Sequence, residues 1–150
     1  MKKAIVLMLA IFSTSICLSQ LKPSISPIKD FKGETTEHGN QIHPILQIKH
    51  QGIDFFVPLG TPVQATADGM VTQAAKVDNY GVVVRLRHGK TYETVYAHLS
   101  KLSVKKGVTV KKGQIIAYSG DSGLSSGPHL HYEVIENGVN LNPREFLAEK

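Results

Sequence analysis

Seven short runs of β-forming residues, each bounded by Gly, Pro, Asp or Asn, constrain this chain more than any other feature. They are Ile53 to Val57, Pro62 to Ala67, Met70 to Ala75, Val82 to Arg87, Tyr92 to His98, Gln114 to Ser119 and Leu130 to Ile135. Runs of this length are strand-sized, and the turn formers between them reverse the chain. Val84-Arg85-Leu86-Arg87 alternates apolar and charged side chains, the pattern of a strand with one wet face. One helical signal stands out, Asn142 as N-cap with Pro143 at the first helical position. The expected class is all-β with one short C-terminal helix. Val104-Lys105-Lys106-Gly107 recurs as Val110-Lys111-Lys112-Gly113. Likewise Gly60-Thr61-Pro62-Val63 before Ala67-Asp68-Gly69 echoes Gly107-Val108-Thr109-Val110 before Tyr118-Ser119-Gly120. Such Gly-centred turns suggest a sandwich or barrel of related hairpins.

A chain of 150 residues is the size of one domain. Its start reads differently from the rest. Met1-Lys2-Lys3 is positively charged and Ala4 to Phe12 is apolar, the layout of a secretory signal peptide with a cut expected after Ser19. The apolar run is too short for a bilayer anchor. Residues 1–19 are therefore read as signal, 20–41 as a proline-bearing arm, and 42–150 as the functional domain. Cys17, the only cysteine, leaves with the signal. Ile16 stands where a small residue should precede a lipidated cysteine, which speaks against a lipid anchor. Thiol catalysis and cysteine-bound metal are excluded with it. Without Lys2 and Lys3, the 17 basic residues become 15 against 12 acidic ones, a net charge of +3. No basic stripe is interleaved with aromatics, so nucleic acid is not an expected partner. The expectation is an exported monomer, periplasmic or secreted, with no stable membrane anchor.

Histidine carries the chemistry. His50 and Asp54 form His-x-x-x-Asp, His129 and His131 form His-x-His, and His98 lies between them. Residues two apart on a strand share a face, so His129 and His131 can look into one groove. Catalytic zinc takes three ligands from His, Asp or Glu and leaves a fourth position open to water. His50, Asp54 and His131 would supply two neutral imidazoles and one carboxylate. Peptide hydrolysis also needs a base for the attacking water and a donor for the oxyanion and leaving amine, roles open to His98 and His129.

The order HQGIDF, GTPVQATADGMV, YGVVVRLRHG, YETVYAHLS and VKKGVTVKKGQIIAYSGDSGLSSGPHLHYEV closely resembles the lysostaphin-type zinc endopeptidases, over roughly Ile42 to Phe146. The resemblance implies two antiparallel sheets with a metal-binding groove, of the duplicated hybrid motif type. It implies one Zn2+ on His50, Asp54 and His131, with His98 and His129 catalytic. It further implies that the substrate is a peptide stem or cross-bridge of peptidoglycan. Some members of that family have lost ligands and activate other wall enzymes, but all five positions are intact here. Val82 follows Gly81 where many members carry Asn, a departure that bears on the local turn.

Other readings compete. Gly120-Asp121-Ser122-Gly123 matches the nucleophile motif of trypsin-like proteases, although the chain is too short for two barrels and Ser122 also reads as a turn residue. The Gly-centred echoes resemble lipoyl or biotinyl carriers, but no presented lysine tripeptide occurs. His38 and His88 are expected to be solvated, His88 as part of a hairpin turn, and His43 to belong to a loop. Tyr96, two residues before His98, could share its face or serve packing alone. Gly127-Pro128 is expected to fix the approach of the chain to His129.

Overall fold

The computed structural model describes residues 21–36, 38–39 and 49–147. The signal segment, Cys17 and His43 lie outside them. Among the described residues, ten strands form two antiparallel sheets: β1 Ile53–Phe55, β2 Pro62–Gln64, β3 Gly69–Val77, β4 Gly81–His88, β5 Tyr92–Leu99, β6 Lys101–Leu102, β7 Thr109–Val110, β8 Ile115–Tyr118, β9 Leu130–Glu136 and β10 Val139–Leu141. The large sheet runs β1-β9-β5-β4-β3-β7, and the small one β2-β8-β6. One flank of β9 is shared, since β1 pairs with its start at 130–132 and β10 with its end at 134–136. The all-β expectation holds. The late helical signal becomes a single 3-10 turn, Pro143–Phe146, whose cap Asn142 accepts the Arg144 N–H.

The two sheets meet over one apolar core that includes Ile53, Phe55, Val63, Leu86, Tyr96, Ile116, Leu130 and Tyr132. Strand alternation sends Tyr96 and Tyr132 inward, side by side as cross-strand partners. A hydroxyl chain satisfies them, because Thr66 Oγ1 lies 3.1 Å from the Tyr96 hydroxyl and 2.9 Å from that of Tyr132. Tyr96 is thus a packing residue and does not share the face of His98. Thr66→Val keeps the shape and leaves the Tyr132 hydroxyl buried without a partner. We expect a loss of about 1–3 kcal/mol in chemical denaturation, with the midpoint shifted and the slope unchanged.

His88 corrects the sequence expectation. It is buried, with Nδ1 donating to the Asp68 carbonyl at 2.7 Å and Nε2 lying 2.8 Å from Thr94 Oγ1. The inward alternation of β4, Val84 and Leu86, simply continues to His88, and the reversal begins only at Gly89. Burial lowers its pKa, so the ring stays neutral.

The opposite face of the large sheet is lined near its centre by Val83, Val95 and Ala97. Cross-strand partners share a face. Since Val95 pairs with Glu133 and Ala97 with His131, both of those β9 side chains stand on this outer face.

Candidate metal centre

β1 and β9 carry the centre between them. Asp54 lies directly opposite His131, so carboxylate and imidazole project from one face. The approach is close at Gly52, where any Cβ would collide with the Tyr132 carbonyl. His50 precedes β1 and reaches the same point, with Nε2 3.1 Å from Asp54 Oδ1 and 3.1 Å from His131 Nδ1. Asp54 Oδ1 and His131 Nδ1 are 2.8 Å apart. One ligand atom from each of the three residues thus meets within 4.8 Å.

These atoms suit a divalent cation. A tetrahedral ion with bonds of roughly 2.0–2.1 Å holds its ligand atoms about 3.3 Å apart, close to the spacings here. Proton bookkeeping agrees. Three lone-pair-bearing atoms converge on one point, and a proton on His131 Nδ1 or His50 Nε2 is needed to relieve them. Burial opposes a charge on His131, but hydrogen bonds to Asp54 and Glu133 outweigh it and raise the His131 pKa to about 9. Burial likewise opposes the Asp54 charge, yet its bonds to His131 and His50 hold its carboxyl well below the usual range. The cluster is an anionic cup that attracts positive charge.

Glu133 backs the cup, and the sequence reading did not single it out. It is almost fully buried, and its Oε1 lies 3.0 Å from His131 Nε2. The Tyr80 hydroxyl donates to the same oxygen at 2.7 Å, and Asn140 Nδ2 donates to Oε2 at 3.0 Å. Burial disfavours the Glu133 charge, but these donors, His131 foremost, keep its pKa low. A carboxylate behind a ligating imidazole fixes the ring orientation and raises its basicity. The signal was present in the sequence: His129, His131 and Glu133 are spaced two apart. Tyr80 and Asn140, from a turn and from β10, carried no comparable mark.

His98 and His129 flank the cup. Their rings lie 4.7 Å apart, and the His98 ring is 5.9 Å from that of His131. His129 Nε2 stands 3.9 Å from Asp54 Oδ1. Each ring is held by a carbonyl, which only accepts, so each must carry its hydrogen on Nδ1. His98 donates to the Ser122 carbonyl at 2.7 Å, and His129 to the Gly127 carbonyl at 2.7 Å. In the neutral form this leaves Nε2 of each ring bare. Burial lowers the His98 pKa to about 4, which keeps that ring neutral. All five histidine and aspartate positions singled out from the sequence therefore converge, while His38 takes no part in the cluster.

The pattern of Peptidase family M23 matches residues 48–143, which span every one of these positions. The chain belongs to that family. Within the M23 family it is 54% identical, over 107 residues, to an uncharacterised metalloprotease of Haemophilus influenzae, covering 69% of this chain and 22% of that protein. It is 41% identical over 121 residues to a peptidoglycan DD-endopeptidase of Vibrio cholerae, covering 79% of this chain and 28% of that protein. The catalytic domain of lysostaphin from Staphylococcus simulans superposes with TM-score 0.71 at 34% identity, covering 75% of this chain and 90% of that one. A zinc-containing peptidase from Vibrio cholerae superposes with TM-score 0.73 at 35% identity, covering 80% and 38% respectively. The chain spans only about a quarter of the length of the two curated relatives, at 22% and 28%.

Proposed function

We propose that this M23 chain is a zinc-dependent endopeptidase that hydrolyses peptide stems or cross-bridges of peptidoglycan. The observation that carries the reading is the meeting of His50, Asp54 and His131 beside two imidazoles with bare Nε2 atoms. Among peptide bonds, D,D cross-links are favoured, because a relative is named for that activity. The apolar layout of residues 4–12 supports action outside the cytoplasm.

His50 Nε2, Asp54 Oδ1 and His131 Nδ1 would hold the ion. When bound, zinc supplies a Lewis acid that acidifies water and polarises a carbonyl. Glu133 accepts the His131 Nε2–H and turns the ring towards the cup. His98, neutral and with its Nε2 bare, takes the proton of the attacking water. The imidazolium so formed is a donor for the leaving amine. His129 offers a second bare Nε2 on the same side for proton transfer. Its ring is steadied by Ser125 Oγ, 3.2 Å from Nδ1.

The test is incubation of the purified protein with cross-linked muropeptides, with zinc or with phenanthroline, followed by mass analysis. Zinc should convert dimers to monomers and the chelator should stop it. Intact dimers in the presence of stoichiometric bound zinc would leave a non-catalytic wall-binding or activator role as the reading. Glu133→Gln should weaken zinc binding about 10–100-fold, measured by chelator competition, because the amide no longer offers His131 a charged acceptor. Unchanged affinity would remove Glu133 from the site.

A further inference from the structure

The Gly120-Asp121-Ser122-Gly123 turn is the one sequence motif that the proposed reaction leaves without a role. Its serine is no nucleophile. Ser122 Oγ donates to the Leu99 carbonyl at 2.7 Å and accepts the Val82 N–H at 2.9 Å, so its hydroxyl is committed on both sides. His98 bonds the Ser122 carbonyl, not the hydroxyl.

His98 needs such support. Strand alternation would turn it inward beside Tyr96, but its φ of 58° puts the residue in the left-handed region and swings the ring to the outer face. A non-glycine residue there is strained and persists only when its surroundings hold it. Two contacts do so. The His98 N–H donates to the Tyr80 carbonyl at 2.9 Å, and the ring donates to Ser122. The Ser122 carbonyl is in turn fixed by its own hydroxyl, which ties the turn to β4 at Val82 and to β5 at Leu99. Gly81 lets this happen: at φ 64° it packs on Ser122 so closely that any Cβ would collide with the Ser122 backbone.

We propose that Ser122 is the positioning residue of His98, its hydroxyl anchoring the turn whose carbonyl sets the orientation and tautomer of the ring. The inference rests on the reading of His98 as base. The serine touches no reacting atom; it acts by keeping Nδ1 protonated and Nε2 bare.

The experiment uses the zinc-loaded full chain with Ser122→Ala and Ser122→Thr, the second of which keeps a hydroxyl. Kinetics on cross-linked muropeptides are read beside zinc content and the ring nitrogen resonances of His98. Ser122→Ala should lower kcat about 10–100-fold with KM and zinc content unchanged, as expected for a misplaced group. Its His98 ring should populate both tautomers, and Ser122→Thr should restore both rate and the single Nδ1–H form. A parental kcat, or a single Nδ1–H tautomer in Ser122→Ala, overturns the proposal. His98→Ala serves as control. Should it turn over at the parental rate, the base assignment fails, while the tautomer result still judges what Ser122 does to the ring.

Discussion

His131→Ala is expected to abolish stoichiometric zinc uptake and turnover together. His131 sits where both chemistries meet, with Nδ1 facing Asp54 and His50 and Nε2 facing Glu133. Alanine removes one of three ligands and one of the partners of Glu133. We expect affinity to fall by at least ~10³-fold, about 4 kcal/mol. The fold should survive, because Glu133 keeps the Tyr80 and Asn140 donors. A second measurement separates this account from general damage. The metal-free His131 pKa is raised to about 9, so at pH 7 the ring holds a proton that zinc must displace. Zinc affinity in the parent should therefore rise about tenfold per pH unit up to roughly pH 9 and flatten above it. Calorimetry at pH 7 in buffers of differing ionisation enthalpy should show about one proton released per ion. Full occupancy in His131→Ala would refute the ligand assignment, and zinc uptake without proton release would refute the raised His131 pKa.

What could be read in advance, and what could not, follows from range. Strand runs and turns are local, and their period of two announced which β9 residues share a face. That local rule was enough for the HLH pair, and followed one step further it reaches Glu133. It also explains the error at His88, where an inward alternation was cut short at an apparent turn. What alternation cannot reveal is a residue that breaks it. His98 reaches the groove only through a positive φ, held by carbonyls of Tyr80 and Ser122, 18 and 24 positions away in sequence. Tyr80 joins the site through a turn, and Asn140 through a strand on the shared flank of β9. These contacts are products of tertiary register, for which no local spacing stands. The residues left the base and donor roles open to His98 and His129, and the resemblance to a known family made both catalytic.

His98→Ala should leave the zinc in place and remove turnover. No ligand atom of the cup belongs to His98, so metal content should stay stoichiometric. Loss of a positioned base costs about 10²–10⁴-fold, and the loss should fall on kcat with KM little changed. The pH profile carries the sharper prediction. Burial leads the causes that lower the His98 pKa to about 4, and the neighbouring His129 and His131 add to it. The base must be unprotonated to act, so activity should rise with pH through about 4, not through the ordinary imidazole value near 6.5. A bound divalent ion would push that limb lower still, since positive charge disfavours a second one nearby. Zinc release at low pH would also cut activity, and the two are separable: metal loss tracks the occupancy of the cup, whereas titration of His98 lowers the rate per bound ion. Rate per bound zinc that falls steadily below pH 6.5 would show that His98 is ordinary imidazole in open water, and a parental rate in His98→Ala would show that another group takes the proton.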